Sequence, residues 1–241
     1  MLSRNIKNAS GFTLVEIAIV LVIVGILIGS FIGTFASRID TTRRDNTKKE
    51  LDEIKTVLMA FAFSQATPYL PCPDTDVPPD GAENRGGGGV CAAATGFLPW
   101  QTIGTGYADA WGTRYRYWVN TDYANGAGFM LTTNDNNSAT VETRVGNNNV
   151  AVLNSAVAVI YSHGKNGLGG ISVDDTNRDV LPAVGNGYDD ENNNADGDNM
   201  FMSRSPTKEG ATITGGIFDD IVTWINSYEL KAKMVEVGKM P

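Results

Sequence analysis

Residues 8–33 read NASGFTLVEIAIVLVIVGILIGSFIG, and this stretch decides the architecture. Residues 12–32 hold a single ionisable side chain, Glu16. As an α-helix rising about 1.5 Å per residue they span roughly 30 Å, the thickness of a bilayer's hydrocarbon core. A carboxylate in such a run costs about 3 kcal/mol or more at the bilayer centre, so Glu16 needs a partner. The leader carries Arg4 and Lys7 and no acid. The positive-inside rule therefore keeps it in the cytoplasm and sends the rest of the chain across.

Three readings of the segment compete. A cleaved secretory signal ending at Thr34-Phe35-Ala36 would need an apolar region longer than such signals carry. An uncleaved anchor explains the length and leaves Glu16 unexplained. The third rests on Gly11-Phe12-Thr13-Leu14-Val15-Glu16, set between a short basic leader and an unbroken apolar run. This motif resembles the processing site of the type IV pilin-like superfamily: type IV pilins, minor pilins and the pseudopilins of type II secretion. The resemblance implies that a membrane-embedded prepilin peptidase cuts between Gly11 and Phe12 and that the new terminus is methylated. It also implies that Glu16 pairs with the Phe12 amine of a neighbouring subunit. Opposite charges attract strongly where the dielectric is low, and pairing offsets desolvation only with good geometry, so the contact would select one axial register. Further along, Gly25, Gly29 and Gly33 share a helix face, the spacing that lets membrane helices approach closely.

After Gly33 the sequence becomes charged and then amphipathic, with Leu51, Ile54, Leu58 and Phe61 as an apolar stripe. Asp40 with Arg44 and Asp45 with Lys49 have the spacing of i,i+4 ion pairs. The periodicity predicts one helix from the apolar run to about Ser64. A Pro-, Gly- and Asp-rich loop follows, containing Cys72 and Cys91. In an exported chain this sparse, even count points to one disulfide, with two unpaired buried thiols as the alternative.

In the body, Tyr115, Tyr117 and Val119 alternate with Arg114, Arg116 and Trp118, a strand signature, and AVAVIYSHGKNG from Ala156 reads as a buried strand entering a turn. Asp109-Ala110-Trp111-Gly112 with Ser162-His163-Gly164-Lys165-Asn166-Gly167 resembles the Asp-Pro-Trp-Gly and Ser-x-Gly-x-x-Gly pattern of the major pseudopilins, with Ala110 in place of the usual proline. Ile221 to Ile225 suits a strand. Asn226 and Glu229 have capping-box spacing at the start of a helix that uses Leu230, Met234 and Val237. The expected class is α+β, a long N-terminal α-helix packed against an antiparallel β-sheet domain. The expected parts are a leader at 1–11, a membrane or filament-core helix at 12–33, its amphipathic continuation at 34–64, and a globular domain outside the cytoplasm at 65–241.

Function classes narrow in the same way. The chain's net charge is −8, and −10 without Arg4 and Lys7, which makes the body a poor nucleic-acid binder. The lone His163 has no nucleophile motif beside it and no phosphate-binding glycine loop follows a strand, so an enzyme is not expected. Tyr107, Trp111 and Trp118 read either as a carbohydrate platform or as sheet packing. No cofactor is required. Ca²⁺ is suggested by the acid- and amide-rich late loop, where Asp174 and Asp175 precede Asn192, Asn194, Asp196 and Asp198 in a partial EF-hand pattern that has Ser203 instead of Glu at its twelfth position. A mobile surface loop is the competing reading. Major pseudopilins bind Ca²⁺ in a comparable loop.

The resemblance implies a structural subunit of a type IV pilus-like filament, whose partners are other pilin subunits, the prepilin peptidase and an inner-membrane assembly platform. It would sit first in the inner membrane, then in an extracellular pilus or a periplasmic pseudopilus. A type II secretion pseudopilin is the nearest alternative. A membrane-tethered, Ca²⁺-dependent binding domain or adhesin that never polymerises is the alternative of another class.

Overall fold

The structure is a computed structural model describing residues 12–146, 149–174, 179–185, 187–207 and 213–240, without the side chains of residues 30–36 and 149. Two compact units divide the chain, Met1–Thr42 and Arg43–Pro241. Helix α1, Leu14–Ser64, contributes to both.

In the first unit every described side chain of residues 12–29 is exposed. Among the described residues no helix is long and apolar enough to cross a membrane. Nothing lies within 4 Å of a side chain added at Gly25 or Gly29, so that face is open in the single chain; Gly33 lies among the undescribed side chains.

The second unit is built on a four-stranded antiparallel sheet in the order β1-β2-β5-β7, formed by Thr95–Phe97, Arg116–Val119, Ala158–Ser162 and Ile221–Ile225. Leu51, Ile54 and Leu58 of α1 are buried, and they pack with Tyr115, Tyr117, Val119 and Ile160. The stripe continues through Ala62 and not Phe61, because four residues on from Leu58 returns to the same face. Phe61, half-buried, packs edge-on against Tyr69 at 5.8 Å. Helix α4, Ser227–Glu236, adds Leu230 and Met234 to this core, and its Asn226 side chain accepts from Glu229 N at 2.7 Å, the expected cap. Val237 ends the helix, 45% exposed, outside the stripe. Lys55 of α1 pairs with Glu229 of α4 at 2.8 Å.

The other face of the sheet is also buried. Trp118, Val159 and Tyr161 point away from α1 into a second core with Ala139, Val141 and Phe201. These last residues belong to a three-stranded sheet in the order β4-β3-β6, made of Asn149–Ala156, Ala139–Val145 and Met200–Met202. Its β3 pairs antiparallel with β4 and parallel with β6. Burial on both faces explains why all five residues of β5 are apolar or hydrogen-bonded within the protein. Cys72 and Cys91 are joined as a disulfide, and the Tyr117 hydroxyl donates to the Pro71 carbonyl at 3.2 Å, holding the bonded loop against β2.

Candidate functional site

Two sites carry chemistry. The first is the start of α1. Thr13 precedes the helix and Glu16 is its third residue, the spacing of a capping box. The Thr13 amide and hydroxyl each donate to Glu16 Oε2 at 2.9 Å, and Glu16 N donates back to Thr13 Oγ1 at 3.2 Å. The carboxylate thus satisfies a backbone donor that the helix leaves unpaired and sits at the positive end of the helix dipole. The Thr-x-x-Glu spacing of Thr13 and Glu16 is the sequence signal for this cap. Phe12 lies just ahead of the box, 82% exposed. Gly11 and the basic leader lie outside the described residues.

The second site lies in the body, where the two pseudopilin-like segments meet. The Ser162 hydroxyl donates to Asp109 Oδ2, and Asp109 Oδ1 accepts from the amides of Trp111 and Thr113 at 2.9 Å each. Gly164 N donates to Ser162 Oγ at 3.0 Å. The left-handed φ of +63° at Gly164 and the close approach of Asp219 exclude a side chain there, since an added Cβ would stand 2.4 Å from the Asp219 carbonyl oxygen. The turn therefore delivers Asn166 to a group of buried acids.

That group is Glu191, Asp219 and Asp220, each offering an oxygen within 4.8 Å of the others. Asn166 Nδ2 donates to both Glu191 oxygens at 2.9 and 3.0 Å, Asp219 N donates to Glu191 Oε1 at 2.9 Å, and Asn194 Nδ2 donates to Asp220 Oδ2 at 2.7 Å. Arg44 of α1 reaches the same segment through main-chain carbonyls, donating to Asp219 O at 2.8 Å and Asp220 O at 3.4 Å. Among the described residues no ion pair joins Asp45 to Lys49. Asp219 Oδ1 and Asp220 Oδ1 are buried with no hydrogen-bond partner among the described residues. Burial, followed by the charge of Asp219, pushes the Glu191 carboxyl up to about 7; burial raises Asp219 to about 6. Asp220 is raised by burial and by the charge of Glu191.

Neighbouring Asp190 shows the contrast. It is as buried as Glu191, yet Arg144 and Arg204 both hold it, with Arg144 Nε at 2.8 Å and Arg204 Nε at 2.6 Å from Oδ2. Asp190 is paired with two arginine side chains, whereas Arg44 meets the three-acid segment through main-chain carbonyls. A buried oxygen without a donor costs about 1–3 kcal/mol, and two of them within a group of three carboxylates suit a hard cation bound through oxygen. The donor set fits Ca²⁺, and Glu191, Asp219 and Asp220 are the residues that would hold it.

This placement differs from the sequence reading. Asn192 and Asn194 lie on helix α3, Asp189–Ala195, and Asp196 is its C-cap, so alternate residues point to opposite sides and cannot converge as in an EF-hand loop. Asn192 Nδ2 donates to Pro182 O, while buried Asn194 clamps Met202, accepting its amide at 2.7 Å and donating to its carbonyl at 3.1 Å. Asp196 and Asp198 are exposed, each accepting from a backbone amide two residues on. Asp174 lines a separate cavity with Arg114, and Asp175 lies outside the described residues. The signal for the acids that do meet was Asp219-Asp220 directly before an apolar strand, where carboxylates at a strand entrance become buried.

A family profile described as the prokaryotic N-terminal methylation motif matches residues 6–32. Comparison of the chain with curated proteins and with solved structures finds no match. The profile spans the second half of the leader, the capping box and most of the apolar run. The chain carries the prepilin-type signal of type IV pilins and pseudopilins, and its body combines a long helix with an antiparallel sheet in a mixed α+β fold.

Proposed function

We propose that the protein is a structural subunit of a type IV pilus-like filament, a pilin or minor pilin cut between Gly11 and Phe12 and polymerised through its N-terminal helix. The observation that carries this reading is the position of Glu16, one helical turn from the residue that becomes the new terminus. Cleavage puts a cationic amine at Phe12, directly ahead of Thr13, and the carboxylate that caps its own helix also has the charge to meet the amine of a neighbour. An inner-membrane platform assembles the subunits, and the parts at 1–11, 12–33, 34–64 and 65–241 serve as leader, filament core, amphipathic connection and displayed domain.

A pseudopilin of type II secretion is the second reading, favoured by one observation: the Asp109 and Ser162 segments that resemble the pseudopilin pattern are joined by a hydrogen bond. Both readings take Ca²⁺ at Glu191, Asp219 and Asp220 as a structural ion. A tethered, non-polymerising binding domain is the reading of another class. Intact-mass measurement of the exported chain, with electron microscopy of sheared surface filaments from the wild type and Glu16→Ala, tests the proposal. A retained leader, or normal filaments from the variant, would overturn it.

A further inference from the structure

A cavity of about 370 Å³ opens beside helix α2, Trp100–Ile103, and shares no residue with the acid group. Backbone hydrogen bonds fix its walls: Gln101 N donates to Gly81 O at 2.9 Å, Arg114 N to Ile171 O at 2.9 Å and Tyr115 N to Tyr107 O at 3.1 Å. The Trp100 ring lies directly on Gly81, whose φ is +84° and where an added Cβ would stand 2.3 Å from the indole. Only glycine lets the ring settle there.

Arg114 dominates the interior. Its guanidinium lies 5.5 Å from the Trp100 ring centroid and 5.6 Å from that of Tyr107, and the two rings are 5.6 Å apart, tilted by 46°. The aromatic faces hold the cation in place. Nη2 donates to Val173 O at 3.3 Å, while Nε is buried without an acceptor. Asp80 and Asp174 line the same cavity, yet among the described residues neither pairs with Arg114. Gln101 adds an exposed amide, and Tyr107 is 46% exposed. Asp80 Oδ1 accepts from Ala82 N at 2.8 Å, which leaves its other oxygen, the Asp174 carboxylate and the Gln101 amide to meet a ligand.

We infer that this cavity binds a neutral saccharide. The two carboxylates accept hydrogen bonds, the guanidinium donates them, and the amide does both; a hydroxyl group matches all three because it donates and accepts. An anionic ligand would satisfy Arg114 and meet two acids, and a cationic one would meet the stacked arginine. The C–H face of a pyranose ring fits the open Tyr107 ring, as amphipathic aromatic surfaces commonly serve. The volume lies in the range of small-molecule sites, with room for a mono- or disaccharide. Trp111 and Trp118 take no part, since Trp118 is buried and Trp111 packs against the main core. The inference holds whether or not the chain polymerises.

The test is an array of neutral and acidic glycans probed with the detergent-solubilised full chain, followed by saturation-transfer NMR on the free sugars, with cellobiose, lactose and maltose as the starting probes. Binding confined to neutral glycans, weakened at least tenfold in both Tyr107→Ala and Gln101→Ala while thermal melts stay unchanged, is the expected result. Gln101 is exposed, whereas Tyr107 also packs on Trp100 and Arg114, so Tyr107→Leu, which keeps apolar bulk without an aromatic face, is read beside Tyr107→Ala and should weaken binding equally. No signal on the array, binding restricted to acidic glycans, or full binding by both variants would each overturn the inference.

Discussion

The Ser162 hydroxyl donates to Asp109 Oδ2 at 2.5 Å, tying the end of β5 to the turn that leads into β2. The same carboxylate takes the amides of Trp111 and Thr113. Asp109→Ala strands these donors in a buried turn, and the expected cost is about 3 kcal/mol; Ser162→Ala removes one hydroxyl, at about 1–2 kcal/mol. In urea unfolding the double variant should lose less than the sum, with a coupling of about 1 kcal/mol. Strict additivity would show that the two residues act separately.

Capping and docking by Glu16 separate by charge. Glu16→Gln keeps an acceptor for the Thr13 amide and hydroxyl but removes the negative charge. If the charge docks a neighbouring amine, Glu16→Gln and Glu16→Ala should both be cleaved after Gly11 and both fail to enter filaments. Mass spectrometry reports the first and electron microscopy the second. Normal assembly by the glutamine variant would leave only the local cap.

Calcium should raise the melting temperature of the full chain above its value in chelator. At about 100 times Kd the gain is about 2.7 kcal/mol, or roughly 5–10 °C for a domain of this size. Glu191→Gln and Asp220→Asn should each remove most of it. Identical melts with calcium and chelator in the wild-type chain would rule the ion out.

Without a bound cation, stability should fall as pH rises. The folded state holds a proton on Glu191 up to about 7, above the ordinary value of 4.5, and one on Asp219 up to about 6, above 3.8. Folding is therefore favoured by protonation: the contribution of Glu191 is complete below about 4.5 and lost as pH rises through about 7, at most about 3 kcal/mol. Arg44, Arg204 and Lys165 face the group, and their opposing effect is already contained in these raised values. In chelator, chemical denaturation between pH 5 and 8 should give a downward slope in the wild type and a flatter one in Glu191→Gln. Calcium should abolish the slope, because a ligating carboxylate is deprotonated. Equal slopes in wild type and variant would remove Glu191 from this account.

Reducing Cys72–Cys91 opens a loop of 19 residues' separation, for an expected loss of about 3 kcal/mol. Because Cys72 is fully buried, mild reductant should act slowly on the native protein and quickly once denaturant is added. Thiol counting against time measures both. Rapid reduction under native conditions would mean that the loop opens without the rest of the body.

Much of this was legible in the sequence for particular reasons. The long helix announced itself through an apolar run followed by a stripe of period 3.6, and its end at Ser64 follows from the Pro- and Gly-rich segment beyond. The strands β2, β5 and β7 carry alternation or an unbroken apolar run. The acid-rich stretch reads as a loop because Asn and Asp signal turns, although Asp189, Asp190 and Glu191 suit the first turn of a helix through its dipole. Nothing local marks Glu191 as the neighbour of Asp219, since their contact depends on how α3 and β7 are carried to one place. The second sheet is not legible locally for a similar reason: its inward residues match the outer face of β2 and β5, a complement that exists only once both are folded.

Trp118 and Tyr161 press against Phe201 at centroid distances of 6.2 and 5.6 Å, so the second sheet sits as a cladding over the sheet that grips α1. Because the buried part of α1 packs on the opposite side, changes among exposed Val150, Val152 and Leu153 alter the outer surface without touching the layer that holds the helix. Such a division leaves the outer sheet free to vary in sequence while the sheet beneath it keeps its packing partners.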